Sequence, residues 1–226
     1  MPEVIRLVVG FDQREAVAYH TFCQSVIDRA TQPVQFLPLA EHTLADYRET
    51  RTDGSNRFIY TRFLTPHLMG FSGWAIFADG DMVCKADIAQ LWALRDERMA
   101  VQVVQHDYRT RRTTKYLGNR NEDYPRKNWS SVILWNCAHP ANRVLTSEFI
   151  AQQPGAFLHR FSWLDDAQIG ALPLAWNWLA IEYPDASDAK LIHYTLGTPC
   201  FREYADSAMA DEWTEAHGRS QEGMGD

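Results

Sequence analysis

The stretch Trp74-Ala-Ile-Phe-Ala-Asp-Gly-Asp-Met-Val-Cys84 constrains this chain more than any other. A hydrophobic run stops abruptly at two carboxylates, Asp79 and Asp81, with Gly80 between them. A short apolar run bounded by turn residues reads as a buried strand. Acidic residues leaving such a strand lie where ligands bind in open α/β sheets, beyond the strand's carboxyl end. Two adjacent carboxylates repel one another unless a proton or a cation joins them. Asp-Gly-Asp therefore suits a hard ion, Mn²⁺ or Mg²⁺, of the kind that also carries substrate phosphates. Asp-Gly is equally a common turn pair, so the rest of the chain has to decide.

The flanking pattern alternates strand and helix. Residues 4–10 form a β-branched run stopped by Gly10-Phe-Asp12, and residues 13–29 repeat apolar side chains at helical spacing. Residues 33–39 follow as a second strand bracketed by prolines. Strand, helix, strand at this spacing predicts a right-handed βαβ unit and a mostly parallel central sheet flanked by helices. Asp12 sits at the first strand-to-helix junction. It serves there either as a helix cap or as a contact to the base or ribose of a nucleotide. A helix over 59–69, interrupted by Pro66, places Arg62 where it binds phosphate, pairs with the acidic loop or forms a surface ion pair.

Beyond the acidic loop, a helix is expected at 87–92 with Asp87 as its cap, a strand at 99–105, a strand at 129–135 leading to Asn136, and a helix at 140–152. Residues 106–128 hold seven Lys or Arg against three acids, with little apolar periodicity. A loop this long is usually functional or mobile, and its basic bias suits an anionic group or simply solvent. Adjacent carboxylates recur at Asp165 and Asp166. The aromatic run 172–178 reads as a pocket wall, and 190–194 as a short strand ending near His193, with Gly197 after it. Residues 1–202 are read as one catalytic domain and 203–226, with seven acids against one arginine, as an acidic helix and tail.

Composition narrows the partners. A net charge of −7 argues against nucleic acid, whose phosphates select basic surfaces. Eight Trp and nine Tyr are many for 226 residues and suit a small-molecule cleft. No signal-peptide pattern or bilayer-length apolar run is present, which leaves only peripheral membrane contact open. Cys23, Cys84, Cys137 and Cys200 lack paired metal-ligand spacing. They read as buried thiols in a reducing, cytoplasmic compartment.

Taken in order, Asp79-Gly-Asp81 after a strand, Asn136 after another, the acids at 165 and 166, Trp176-Asn177, and His193 with Gly197 resemble the family 8 glycosyltransferases, the glycogenin and lipopolysaccharide galactosyltransferase group with the GT-A fold. The resemblance spans about residues 4–201. Its densest part is Ile76-Phe-Ala-Asp-Gly-Asp-Met-Val-Cys-Lys-Ala-Asp-Ile88, and Tyr60-Thr-Arg62 is similar to an upstream Tyr-x-Arg.

The resemblance implies a retaining transfer of sugar from a nucleoside-diphosphate donor, a UDP-sugar in that family. The acceptor would be a hydroxyl on a glycan, a lipid-linked sugar or a small molecule, as in surface polysaccharide synthesis. It implies that Asp79, Asp81 and His193 hold Mn²⁺ or Mg²⁺, that Asp12, Arg62, Gly80 and Gly197 surround the donor, and that Asp165 or Asp166, with Asn136, acts on the donor sugar. The chain departs from the family in four places. Asp-x-x-Tyr is Asp12-Gln-Arg-Glu15. The run after the glycine is Gly197-Thr-Pro-Cys-Phe201 without the usual Lys, leaving Arg202 or Lys190 as substitutes. Phe-Asn-(Ala/Ser)-Gly becomes Asn128-Trp-Ser-Ser131, and Asp-Gln-Asp becomes Asp165-Asp-Ala-Gln168. Two rival readings are a metal-dependent nucleotidyltransferase, disfavoured by the lone glycine in Gly10-Phe-Asp-Gln-Arg14, and a non-catalytic sugar-nucleotide-binding domain.

Overall fold

The chain folds around a six-stranded sheet whose central strands are apolar on both faces. The computed structural model describes residues 3–114, 118, 121–183 and 187–222. Part of the basic stretch (115–117, 119 and 120) and the end of the acidic tail (223–226) lie outside the described residues. Strand β1 (Ile5–Phe11) leads through a turn of 3-10 helix into α1 (Ala16–Ile27), and β2 (Val34–Ala40) returns parallel to β1. This is the predicted βαβ unit. Strand β3 (Trp74–Ala78) pairs with the other side of β1, also in parallel.

The sheet continues through β5 (Val101–Val103), β6 (Val132–Asn136) and β7 (Ile169–Ala171), in the order β2-β1-β3-β6-β5-β7. Strand β6 runs antiparallel to both β3 and β5, while β5 and β7 are parallel. Residues along each central strand alternate between two cores. Leu7, Val9, Ile76 and Leu134 pack with Phe22 and Val26 of α1 on one face. Val8, Phe77, Ile133 and Trp135 pack with Phe58, Phe63 and Phe161 on the other. Burial on both faces is why these strands read as unbroken apolar runs rather than as alternating ones.

The helix expected at 59–69 is a 3-10 turn over Thr61–Leu64 followed by α2 (Thr65–Leu68), with Pro66 in the first turn, where its missing N–H costs nothing. The helix expected at 87–92 is α3 (Ala89–Trp92), and Asp87 accepts from the Ala89 amide as anticipated. The helix expected at 140–152 divides into a 3-10 turn (Pro140–Val144) and α4 (Ser147–Gln152), because Thr146 caps α4 through the Phe149 amide. The short α5 (Gly155–His159) follows.

A second, three-stranded sheet was not expected. Strands β4 (Met82–Cys84), β8 (Trp178–Leu179) and β9 (Leu191–His193) form it in the order β4-β9-β8. Helix α6 (Ala210–Arg219) packs on α1 and β4, with Trp213 and Ala216 buried against Val83, Ile192 and Tyr194. Among the described residues no helix is long and apolar enough to cross a membrane. All four cysteines are free, with Cys84 and Cys137 buried as expected but Cys200 exposed.

Candidate active site

Parallel pairing brings the carboxyl ends of β1, β2 and β3 to one edge of the sheet. Strand order reverses about β1, so this edge holds the switch point where open α/β sheets bind ligands. Asp79 leaves β3 there, anchored by its amide donating to the Ser131 carbonyl at 2.9 Å. The Asp-Gly-Asp turn then carries the chain into the second sheet, where Met82 pairs with His193 and the Tyr194 amide donates to the Asp81 carbonyl at 3.0 Å. That pairing is how a histidine distant in sequence reaches the two aspartates.

Asp79, Asp81 and His193 are buried, with ligand atoms within 4.8 Å of one another. His193 Nε2 lies 3.3 Å from Asp81 Oδ1 and 3.9 Å from Asp79 Oδ2. Its Nδ1 meets Asn177 Oδ1 at 3.0 Å, while Asn177 Nδ2 donates to the Asn128 carbonyl at 3.1 Å and to Ser131 Oγ at 2.8 Å. A carbonyl only accepts, so the Asn177 amide orientation is fixed and His193 Nδ1 must be the donor. The nitrogen turned toward the aspartates is therefore Nε2, as a metal-ligating histidine with an oriented ring requires.

Arg62, itself buried, places its guanidinium 2.9 Å from Asp79 Oδ1 and donates to the Ser130 carbonyl at 2.8 Å. Burial nevertheless raises the Asp79 carboxyl above its ordinary range; Arg62 pulls it down and Asp81 pushes it up again. The Asp79 and Asp81 carboxylates lie close enough to repel one another, a repulsion that a bound cation relieves. Two carboxylate oxygens and an imidazole form a mixed N/O set that could hold a divalent cation. Gly80 allows the turn to lie on β1: a Cβ there would meet the Gly10 carbonyl oxygen at 2.5 Å.

The other predicted residues fall in different places. Asp12 is buried, caps the turn after β1 through the Arg14 amide, and receives the Arg14 guanidinium at 2.6 Å. Burial works to raise its carboxyl, but the bonds from Arg14 and Arg57 hold it below its ordinary range. The cap reading is met, and Asp12 also lines a cavity of about 450 Å³ at the ends of β1 and β2. Gly197, at φ 148°, follows β9 in a conformation that favours glycine.

Asn136 is a correction. It pairs with Trp74, at the start of β3, whereas Ala78 beside Asp79 pairs with Val132. Because β6 runs antiparallel, its end points away from the acidic turn, about 13 Å along the strand at ~3.3 Å per residue. Asn136 hydrogen-bonds Glu97 and Asn142 instead. Asp165 and Asp166 begin a 3-10 turn and are exposed, and neither lines the cavity at Asp79; Asp166 pairs with Arg126 at 2.5 Å. Trp176, read as pocket wall, lies in the core at 1% exposure.

What faces Asp79 instead comes from the start of β6 and from α5. Asn128, Ser130 and Ser131 line the same small cavity, together with Tyr124 and His159. His159 Nδ1 meets Ser130 Oγ at 2.8 Å. Asn128, Ser130 and Ser131 are the segment that stands in place of the family's Phe-Asn-(Ala/Ser)-Gly, and the direction of β6 is what brings it to this cavity. Asn177 had a signal of its own, a polar residue inside an otherwise apolar run, which must find buried partners.

No family model matches the sequence. Protein CDI of Arabidopsis thaliana is 42% identical over 217 residues, which cover 92% of this chain and 84% of that protein. The chain belongs to the Protein CDI family. In structure, this Protein CDI relative is similar to WbbM, a bifunctional glycosyltransferase, with a TM-score of 0.67 and 15% identity over 96% of the chain. It spans half of WbbM's length. It is similar also to the galactosyltransferase LgtC in complex with donor and acceptor sugar analogues, at TM-score 0.62 and 13% identity, covering 95% of this chain and 96% of LgtC. The glycosyltransferase GlyE of Streptococcus pneumoniae TIGR4 matches at TM-score 0.61 and 14% identity over 94% of this chain and 60% of GlyE. Such identities establish the fold, and the fold is the expected GT-A-like α/β architecture.

Proposed function

We propose that the protein is a metal-dependent glycosyltransferase that moves a sugar from a nucleoside-diphosphate donor to a hydroxyl acceptor with retention at the anomeric carbon. The observation that carries this reading is the buried Asp79–Asp81–His193 cluster at the ligand-binding edge of a GT-A-like sheet. Asp79, Asp81 and His193 would hold Mn²⁺ or Mg²⁺, which as a Lewis acid supplies compensation for charge on a leaving diphosphate. Arg62 steadies Asp79 in its ionised form, Asn177 orients His193, and Gly80 lets the turn sit close to β1.

The cavities at this edge adjoin. The one at Asp12 shares Arg14, Glu41 and Arg57 with a neighbour of about 320 Å³, and that neighbour shares Asn56 and Ile59 with the cavity at Asp79. A nucleoside diphosphate laid along them has its diphosphate at the acidic cluster and its base near β1. Ser130, Ser131 and His159 then lie where the donor sugar leaves the diphosphate. A direct role for Asp166 requires it to leave Arg126.

Thermal melts with Mn²⁺ and a panel of nucleoside diphosphates test the proposal. Stabilisation that needs both metal and nucleotide, and that is lost in Asp81→Asn, supports it; slow release of free sugar from one nucleotide sugar identifies the donor. A melting temperature unmoved by Mn²⁺ and every nucleotide refutes it.

A further inference from the structure

Arg14 has a side chain about half exposed, yet its guanidinium is held in a fixed plane. Nε donates to Asp12 Oδ1 at 3.0 Å and a terminal nitrogen donates to Oδ2 at 2.6 Å, a two-pronged fork on one carboxylate. The same terminal nitrogen reaches the Ser55 carbonyl at 3.3 Å. Asp12 cannot swing away, because its side chain is 1% exposed and also accepts from the Arg14 and Arg57 amides. The guanidinium of this half-exposed side chain is a plane against which a flat ligand can stack, and a pre-organised fork loses little entropy when it does. The 450 Å³ cavity that Arg14 lines is of ligand size.

Glu41, where β2 ends, lines the same cavity. Its side chain is 19% exposed and its ion pair with Arg57 is loose, at 3.7 Å, so the carboxylate can still accept from a ligand. An ionised carboxylate only accepts hydrogen bonds. Uracil presents one N–H flanked by two carbonyl oxygens, which a carboxylate repels. Guanine presents two adjacent donors, N1–H and N2–H, which match both carboxylate oxygens.

We propose that the donor's base occupies this cavity, stacked on the Arg14 guanidinium, and that Glu41 makes the site prefer a guanine nucleotide over the uridine nucleotide of the resembled family. The inference rests on the proposed nucleoside-diphosphate site and adds its base specificity. Stacking on a guanidinium plane is a known way to hold an unpaired base, and edge contacts then choose among bases.

Calorimetric titration in Mn²⁺ with GDP, UDP, CDP, ADP and inorganic pyrophosphate, a probe with no base, tests it. GDP is expected to bind tightest. Arg14→Lys keeps a cation opposite Asp12 but discards the plane, and should weaken all four nucleotides about tenfold while leaving pyrophosphate unchanged. Glu41→Gln should weaken GDP about tenfold and strengthen UDP, because the neutral amide no longer repels the uracil carbonyls and can donate to one of them. UDP binding as tightly as GDP overturns the base preference. Equal loss of pyrophosphate and nucleotide in Arg14→Lys makes Arg14 a phosphate ligand and overturns the platform, as does no loss at all. Pyrophosphate binding with no gain from any base removes the base site but keeps the metal site. If pyrophosphate fails as well, the proposed function itself falls.

Discussion

Replacing Asn177 by leucine tests whether the acidic cluster is a metal site or a structural knot. Asn177 is fully buried and leucine matches its shape, so the substitution deletes hydrogen bonds and little else. It removes the acceptor for His193 Nδ1 and the donor to Asn128 and Ser131. The metal-free protein should lose about 1–3 kcal/mol from the orphaned imidazole donor, several degrees of melting temperature. The decisive quantity is the further rise on adding Mn²⁺. At a metal concentration near 100 times the wild-type Kd, binding stabilises by ~2.7 kcal/mol, about 5–11 °C for a chain of this size. Loss of a ligand's orienting partner typically weakens a metal tenfold to a hundredfold. At the same concentration the Mn²⁺-induced rise should then shrink to about 3–6 °C for a tenfold loss, or 1–2 °C for a hundredfold loss. Comparing the Mn²⁺-induced shift within each protein cancels the metal-free destabilisation. Equal shifts in wild type and Asn177→Leu would refute the assignment of His193 Nε2 as a ligand positioned by Asn177.

Other perturbations read separate parts of the molecule. His106 is buried beside Tyr183, with Nδ1 2.9 Å from the phenol oxygen, and burial drives its imidazole down to about 3. The unfolded chain therefore binds the extra proton first as pH falls, so stability present above about 6.5 is lost progressively towards pH 3; His106→Gln should flatten that acid limb in urea melts. Gly80→Ala sets a methyl against the Gly10 carbonyl oxygen at 2.5 Å, and chemical denaturation should show a loss of about 1–3 kcal/mol together with weaker Mn²⁺ binding. Trp213→Ala should cost about 3–5 kcal/mol, because the indole fills the interface of α6 with the second sheet; a cost below about 1 kcal/mol would mean that α6 is only loosely attached.

The acidic turn was legible because its chemistry is local. An apolar strand that ends in Asp-Gly-Asp must put both carboxylates at a sheet edge, whatever the rest of the chain does. The βαβ start was legible for the same reason, since its periodicities and breaks are contiguous. Asn136 shows where contiguity ends. Its strand was found, but which end faces the ligand edge depends on whether β6 runs with or against β3, and a backbone direction leaves no mark on the strand's own residues. Asn128, Ser130 and Ser131 were named only as the altered form of a family motif, and they border Asp79 for the reason that Asn136 does not. Asn177 lies between these cases. A polar side chain inside an apolar run announces that it has partners, but the partners are His193, Asn128 and Ser131, from two other parts of the chain. β9 was read as a strand, but the sheet it belongs to went unseen because β4 and β8 are two or three residues long, too short for a period to register. Yet that sheet fixes the register of His193 against Met82, and so holds the imidazole at the aspartates. Disrupting the β4–β9 pairing should therefore cost metal affinity as surely as losing a ligand.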